Sequence, residues 1–222
     1  TSEGCSSCPA ADAALRELAA TQPLLGIEIV ALGQHVDYWN RLGWKDPYSS
    51  SQFTERQRQY AAQLRSGTYT PQAVVNGQYE VVGSRRQLLS EIIRKAATAP
   101  RAAVSLSRPS AAALAVRVAA LPAGTQPADV VLALTETGLS SQVGRGENAG
   151  RLLYHAAVVR ELRLLGTVAG SGTLAVSAPL TLGPGWKTDH LRAVVLVQER
   201  QSRRIVGVAS LPLSASPHPA AN

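Results

Sequence analysis

The segment Cys5-Ser6-Ser7-Cys8-Pro9 constrains this chain more than any other feature of its 222 residues. The two cysteines are the whole thiol inventory, so a scaffold of several disulfides is excluded and a local motif is favoured. Pro9 suits the first turn of a helix, where its missing N–H costs nothing. A thiolate at a helix N-terminus is stabilised by free N–H groups and the positive end of the helix dipole. The spacing therefore predicts a redox pair, with an outward-facing Cys5 as the nucleophile and Cys8 as the thiol that resolves the mixed disulfide.

Other roles for the two cysteines stay open at this point. They could form a structural disulfide or remain two free thiols. A Cys-X-X-Cys pair is also half of a zinc site, but the sequence has no second pair to complete it. A soft metal held by Cys5, Cys8 and His35 is a weaker alternative.

The first hundred residues predict alternating helices and strands. Apolar residues at helical spacing follow Pro9, and a β-branched run lies between two glycines near residue 30. The predicted elements are a helix over 9–21, a buried parallel strand over 26–32, a helix over 51–66, a hairpin of strands 72–75 and 78–82, and a helix over 84–97. This pattern is typical of an α/β domain, which we place at residues 1–99.

After Pro100 the pattern changes to short strands separated by turns rich in glycine and proline. The predicted strands are 102–107, 112–119, 128–136, 155–163, 173–180, 191–199 and 204–211. Their spacing favours an all-β, antiparallel sandwich over residues 100–213. Residues 214–222 are rich in Pro, Ala and Ser and predict a flexible tail.

Charge and composition narrow the classes of partner. The net charge of +7 invites a nucleic-acid interpretation, but the arginines are scattered and only 5% of residues are aromatic. We therefore predict no nucleic-acid binding. No apolar run approaches the roughly 18–20 residues that span a bilayer, so we predict no membrane span. We expect no cofactor, and the sequence leaves the oligomeric state open.

Thr70-Pro71 is the second candidate element of the site. It lies just ahead of the predicted hairpin, where thioredoxin folds place a cis-proline beside the disulfide. A cis bond there lets the backbone of the preceding residue pair with a bound peptide or thiol, and it keeps metals off the cysteines. The alternative is an ordinary trans proline that starts a strand.

A polar and aromatic stretch follows the strand predicted over 26–32. Its candidate functional residues, which crowd a sheet edge where α/β proteins bind ligands, are His35, Asp37, Trp39, Trp44 and Lys45, with Asp46 beside them. Asp37 or His35 is a candidate acid/base for the Cys8 proton, and the tryptophans are a candidate substrate wall. The alternative is a structural loop in which Asp and Lys pair. Glu28 is a further candidate, either as a carboxylate buried beneath the disulfide or as a solvent-facing residue.

Glu147, Asn148 and Arg151 lie in a glycine-bracketed loop of the predicted second domain. Domain interfaces are common places for binding sites, so these residues are candidates to close over the redox site across the interface. A charged hairpin without a role is the alternative.

Several stretches together resemble a bacterial secreted family in the thioredoxin-like superfamily, catalogued as domain-of-unknown-function family 1223. They are residues 1–9 (TSEGCSSCP), 35–39 (HVDYW), 42–47 (LGWKDP), 69–72 (YTPQ), 75–77 (VNG) and 146–151 (GENAGR). The resemblance implies a thioredoxin-like first domain and a periplasmic or secreted protein whose leader has been removed. A thioredoxin core also has a strand that runs directly into the motif. Since only four residues precede Cys5, we expect that strand to lie upstream of Thr1.

The leading hypothesis is a thiol–disulfide oxidoreductase of the cell envelope or extracellular space. Its partner would be a protein or small-molecule thiol or disulfide, positioned by Thr70 and Pro71. The alternative is a redox-inert thioredoxin-like binding module for a ligand, a metal or a partner protein. The sequence does not distinguish an oxidant from a reductant or an isomerase.

Overall fold

The structure is a computed structural model that describes residues 1–214. Its helices are α1 (Cys8–Thr21), α2 (Ser51–Leu64) and α3 (Arg86–Ala97), with short 3-10 helices at Tyr38–Leu42 and Thr188–His190. Its strands are β1 (Gln72–Val75), β2 (Tyr79–Val82), β3 (Val104–Ser110), β4 (Ala113–Val118), β5 (Ala128–Glu136), β6 (Ser140–Gln142), β7 (Leu152–Tyr154), β8 (Val158–Val168), β9 (Leu174–Pro179), β10 (Leu191–Glu199) and β11 (Ile205–Pro212).

The described chain divides into two compact units. The first contains Thr1–Thr98 together with Thr137–Val159, and the second contains Ala99–Glu136 and the residues from Arg160 onward. The predicted 100–213 domain differs from this division, because residues 137–159 belong to the first unit. Their hydrogen bonds to the segment around Cys5 are long-range contacts that no local pattern reveals. Of the predicted tail 214–222, all but Ser214 lies outside the described residues.

Local sequence signals explain the helices and the hairpin of the first unit. Pro9 occupies the first turn of α1, and the Ser50 hydroxyl caps α2 by accepting a hydrogen bond from the Gln52 N–H. β1 and β2 form an antiparallel hairpin around Asn76-Gly77, with Gln72 opposite Val82. The apolar face of α3 packs on this hairpin, where Leu18, Val81 and Leu89 form a buried cluster.

The strand predicted over 26–32 does not form. A strand needs a hydrogen-bonded neighbour along its length, whereas this segment forms only an isolated parallel bridge at its end, between Gly33 and Val158. A Cβ on Gly33 would overlap the Ala156 carbonyl, so the close approach requires glycine. The strand expected upstream of Thr1 stays a prediction.

Thr1 nevertheless pairs with residues 34–36, which come just after the predicted strand. Its N-terminal amine donates to the Gln34 carbonyl at 3.2 Å, and its own carbonyl accepts from the Val36 N–H at 3.0 Å. In a parallel ladder, one residue bonds to the two residues that flank its partner, as Thr1 does on either side of His35. They hold the residues before Cys5 beside His35.

The second unit contains two sheets, in which β5, β10 and β11 pair antiparallel in one and β3, β4 and β9 pair antiparallel in the other. One has the strand order β11-β10-β5-β8, and the other has the order β3-β4-β9. Alternate apolar residues of both sheets join one buried cluster, which includes Leu114, Val116, Leu132, Leu134, Val195 and Val197. The seven predicted strands of this region correspond to these seven observed strands; the bounds of β5 and β10 are as predicted, and the other five have shifted ends.

Among residues 1–214, no helix is long and apolar enough to cross a membrane.

Candidate functional site

Cys5 and Cys8 form a disulfide at the N-terminus of α1. Their Cα atoms are 5.4 Å apart, within the usual range for a bridged pair. The Cys5 Sγ lies 3.4 Å from the Ser7 Oγ. Each cysteine is only 1% exposed, so the prediction that Cys5 faces outward is wrong. Ser6 and Ser7 between them are exposed.

Trp39 connects the cysteine motif with the segment at Thr70. The indole Nε1–H donates to the Thr70 Oγ1 at 2.9 Å. A Cβ on Gly4 would lie 2.9 Å from the Trp39 Cβ, so the backbone just before Cys5 passes tightly against this side chain. The Thr70–Pro71 peptide bond is cis, as the sequence predicts.

The loop over residues 143–151 binds the backbone of the motif. The buried Asn148 amide donates to the Glu3 carbonyl at 2.8 Å and to the Cys5 carbonyl at 2.9 Å. The Arg151 guanidinium donates to the Asn148 Oδ1 at 2.7 Å and so orients this amide. Glu147 accepts a hydrogen bond from the Ser6 N–H at 2.9 Å. Glu147 and Asn148 therefore contact the motif and Arg151 contacts Asn148, all within the first compact unit and not across an interface between domains.

A buried carboxylate–histidine–carboxylate group lies beside the motif. The Glu3 Oε1 is 3.0 Å from the His155 Nε2, and the Asp12 Oδ2 is 3.6 Å from the His155 Nδ1. The second oxygen of Glu3 accepts from the Trp44 Nε1–H at 2.6 Å. Asp12 follows Cys8 by one helical turn, so the two side chains share a face of α1.

A second buried pair continues this network. The His35 Nδ1 lies 2.7 Å from the Asp46 Oδ2, and the same oxygen accepts from the Glu3 N–H at 2.9 Å. The His35 and His155 rings meet edge to face, with centroids 5.0 Å apart, and Tyr48 contacts both rings. Two histidines and three carboxylates are thus collected in one buried region next to the disulfide.

The electrostatics of this network favour charged forms. Burial acts to lower the pKa of His155, but the nearby carboxylates of Asp12 and Glu3 outweigh it and raise that pKa to about 9. For Asp46, burial acts to raise the pKa, but the hydrogen bond and charge of His35 and the N–H groups of Glu3 and Tyr48 outweigh it and lower the pKa. The core beside the disulfide therefore holds ionised groups.

Other predicted residues lie apart from this network. Asp37 accepts a hydrogen bond at 2.5 Å from the hydroxyl of Thr54, which lies on α2. Its carboxylate is therefore bound to α2 and not to the buried network. Lys45 is exposed, and the carboxylate of Asp46 is paired with His35 instead of with Lys45. Glu28 is also exposed, so the interpretation of it as a carboxylate buried beneath the disulfide is wrong.

The metal alternative with Cys5, Cys8 and His35 has no support. The cysteines are joined to each other, and His35 is engaged by Asp46. Among the described residues, no group of three or more His, Cys, Asp or Glu side chains is arranged to hold a metal ion.

Sequence reasoning missed Glu3, Asp12 and His155 as members of the site. Asp12 carries a usable signal, since a polar residue one turn after a buried cysteine shares its face of the helix. For His155 the sequence offers no local signal, because its partners lie more than 140 residues away in the chain.

Comparison with known proteins gives a family match and one close structural match. A family model described as "Protein of unknown function (DUF1223)" matches residues 1–198. A protein of Agrobacterium tumefaciens with a known X-ray structure is 30% identical; the alignment covers 95% of this chain and 90% of that one, with a TM-score of 0.75. Among the curated proteins, none matches the chain.

Two further solved structures are much less similar. A domain of the outer membrane lipoprotein Omp28 from Porphyromonas gingivalis is 11% identical; the alignment covers 50% of this chain and 87% of that one, with a TM-score of 0.33. A β-glucuronidase 2 of Bacteroides uniformis is 13% identical; the alignment covers 50% of this chain and 12% of that one, with a TM-score of 0.26. TM-scores this low carry no argument about fold or function.

Proposed function

The chain belongs to the DUF1223 family, whose description names no activity, and from its site we propose that it is a thiol–disulfide oxidoreductase. The observation that carries the proposal is the Cys5–Cys8 disulfide at the N-terminus of a 14-residue helix. Free N–H groups and the helix dipole at this position stabilise a thiolate, which is the reactive form in disulfide exchange.

The exchange has two steps in each direction. In the reducing direction, the Cys5 thiolate attacks a substrate disulfide, forms a mixed disulfide and releases one substrate thiolate. Cys8 then attacks the Cys5 sulfur, re-forms the Cys5–Cys8 bond and releases the second substrate thiolate. The protein loses the two electrons that the substrate gains. In the oxidising direction, two substrate thiolates attack in turn, and Cys8 is the first leaving group.

Cys8 needs a proton when it leaves and must lose one when it attacks. Asp12 is the carboxylate one turn along the helix, and it is coupled to His155 at 3.6 Å. We assign proton handling to this pair in place of Asp37 or His35, since Asp37 is held by α2 and the His35 Nδ1 is engaged by Asp46.

The proposal extends to fold and location. The order of the first unit (cysteine motif, two helices, hairpin after Pro71, final helix) supports a thioredoxin-like domain. The shared core of two antiparallel sheets supports a β-sandwich in the second unit. A disulfide between the only two cysteines suits an oxidising compartment, which supports a periplasmic or secreted protein. A protein or small-molecule thiol or disulfide, positioned by Thr70 and Pro71, is the proposed partner.

Trapping with a Cys8→Ser variant tests the exchange directly. Without the resolving thiol, Cys5 should retain its partner as a stable mixed disulfide, which mass spectrometry of non-reduced extracellular or periplasmic extracts identifies. The Cys5→Ser variant is the matched control and should trap nothing. Equal trapping by the two variants, or none with extracts and small disulfides, overturns the proposal.

One observation favours a second candidate, a redox-inert binding module. Both cysteines are 1% exposed, as expected of a structural disulfide. The reduction potential distinguishes the two candidates. A value below about −300 mV marks a structural bridge, whereas catalytic pairs fall at roughly −270 to −120 mV.

A further inference from the structure

Helix α1 has no capping side chain from its own sequence. Its N-cap residue, Ser7, makes no side-chain capping hydrogen bond, and its first turn has no acidic residue. The first N–H groups of a helix have no partner within the helix, and a nearby Ser, Thr, Asp or Asn side chain usually accepts a hydrogen bond from one of them. Glu147 brings a carboxylate to the residue just before the N-cap from 141 positions away, by accepting the Ser6 N–H at 2.9 Å.

The loop over 143–151 fixes this carboxylate in place. Asn148, the next residue, is bound to two main-chain carbonyls of the motif, and Arg151 orients its amide. The Gly150 N–H donates to the Val143 carbonyl at 2.8 Å and closes the loop on itself. Hydrogen bonds from the Ser6 backbone and side chain lower the pKa of Glu147, so it carries a negative charge at neutral pH.

We infer that Glu147 is a positioning residue that lowers the reduction potential of the Cys5–Cys8 pair. The Ser6 N–H that it binds follows Cys5 by one peptide bond, so the carboxylate is held at the backbone next to the residue that becomes the nucleophile. Its charge repels a thiolate on Cys5 and leaves the neutral disulfide unaffected. The effect of Glu147 on catalysis rests on the proposed function. Its effect on the reduction potential does not, because the reduction potential of any disulfide can be measured.

The reaction to be measured is reduction of the folded protein by dithiothreitol. The Cys5–Cys8 bond breaks, its two sulfurs gain two electrons, and dithiothreitol closes to its cyclic disulfide. With Cys5 as thiolate and Cys8 as thiol, one proton is released to the buffer. Other charges near the motif (Glu3, Asp12, Arg151 and His155) are the same in the wild type and in a Glu147 variant, so a comparison isolates the effect of Glu147.

The Glu147→Gln variant removes the charge and keeps an oxygen that accepts the Ser6 N–H. Glu91→Gln on α3, also an exposed acid, is the matched control. In dithiothreitol mixtures at pH 7.5, we expect Glu147→Gln to shift the equilibrium three- to tenfold toward the reduced form, or about 15–30 mV to higher potential. The shift should shrink in 1 M salt, where the Debye length falls to about 3 Å. Glu91→Gln should match the wild type.

An unchanged equilibrium constant in Glu147→Gln, an equal shift in Glu91→Gln, or a shift that salt does not reduce would each overturn the inference. Failure of the proposed function gives a different pattern: Cys8→Ser traps no partner, yet the potential still moves with Glu147. A disulfide that dithiothreitol cannot reduce in the folded protein overturns both.

Discussion

His155 should make the stability of the first unit depend on pH in the alkaline range. Its pKa is raised from the ordinary 6.5 to about 9 because Asp12 and Glu3 together outweigh the effect of burial. A group whose pKa is higher in the folded than in the unfolded chain stabilises fully below the unfolded value. This stabilisation is lost as the pH rises through the folded value. The interval from 6.5 to about 9 corresponds to about 3 kcal/mol, at about 1.4 kcal/mol per pH unit.

The perturbation is His155→Gln, which cannot carry a charge. At pH 6 the variant leaves the Glu3 and Asp12 carboxylates buried without their cation, so we expect it to be about 3 kcal/mol less stable than the wild type. Near pH 10 the wild-type imidazole is also neutral, and the two free energies of unfolding should converge. His190→Gln, a change at an exposed histidine, is the control and should follow the wild-type curve.

The assay is urea unfolding at a series of pH values from 6 to 10, followed by tryptophan fluorescence. A Trp186→Phe background confines the signal to the first unit, where Trp39 and Trp44 lie. If the wild-type and His155→Gln curves stay parallel from pH 6 to pH 10, the ionised His155 does not stabilise the fold and this reasoning is refuted.

Two further changes test the parts that hold the motif. Asn148→Ala removes two buried hydrogen bonds to main-chain carbonyls, so we expect a loss of about 2–4 kcal/mol in urea unfolding and faster reduction of the disulfide by dithiothreitol. An unchanged reduction rate would contradict the role of Asn148 in holding the backbone around Cys5. Asp46→Asn replaces the charged acceptor that contacts His35 and the Glu3 N–H, and should cost about 1.5–3 kcal/mol at pH 7. Because the pKa of Asp46 is lowered from 3.8, its stabilisation is present above that value and is lost as the pH falls, so the deficit of the variant should narrow in acid.

Local patterns in the sequence predict most of the regular elements. The helix at Pro9, the hairpin around Asn76-Gly77 and the seven strands of the second unit depend on neighbouring residues, and the structure contains all of them. The strand predicted over 26–32 does not form, because a strand depends on a distant partner as well as on its own residues. Its apolar run meets the local requirement, but a ladder also needs a partner along its length, and only Gly33 at its end forms a bridge.

The site was less predictable because its decisive contacts join distant segments. The cysteine motif and the residues after position 140 meet through hydrogen bonds that span 141 to 145 positions. The glycine-bracketed sequence around Glu147 and Asn148 identified the loop as unusual, yet nothing local assigned it to the first unit. His155 is the clearest example of a residue that local patterns cannot assign to the site. Its raised pKa depends on Glu3 and Asp12, which lie near the other end of the unit's sequence.

The buried network beside the disulfide contains two histidines and three carboxylates. This composition favours a chemical role over one of only stabilising the fold. Burying Asp46 and His155 in their charged forms costs several kcal/mol per ion, and the groups around them roughly offset that cost. Apolar side chains of similar volume would hold the disulfide at least as firmly, so stability alone gives no reason for five ionisable groups beside two sulfurs. The proposed disulfide exchange would give one, because it would move protons at sulfurs that are only 1% exposed. The same charges that His155→Gln perturbs in unfolding should therefore also change the pH dependence of the proposed exchange at Cys8.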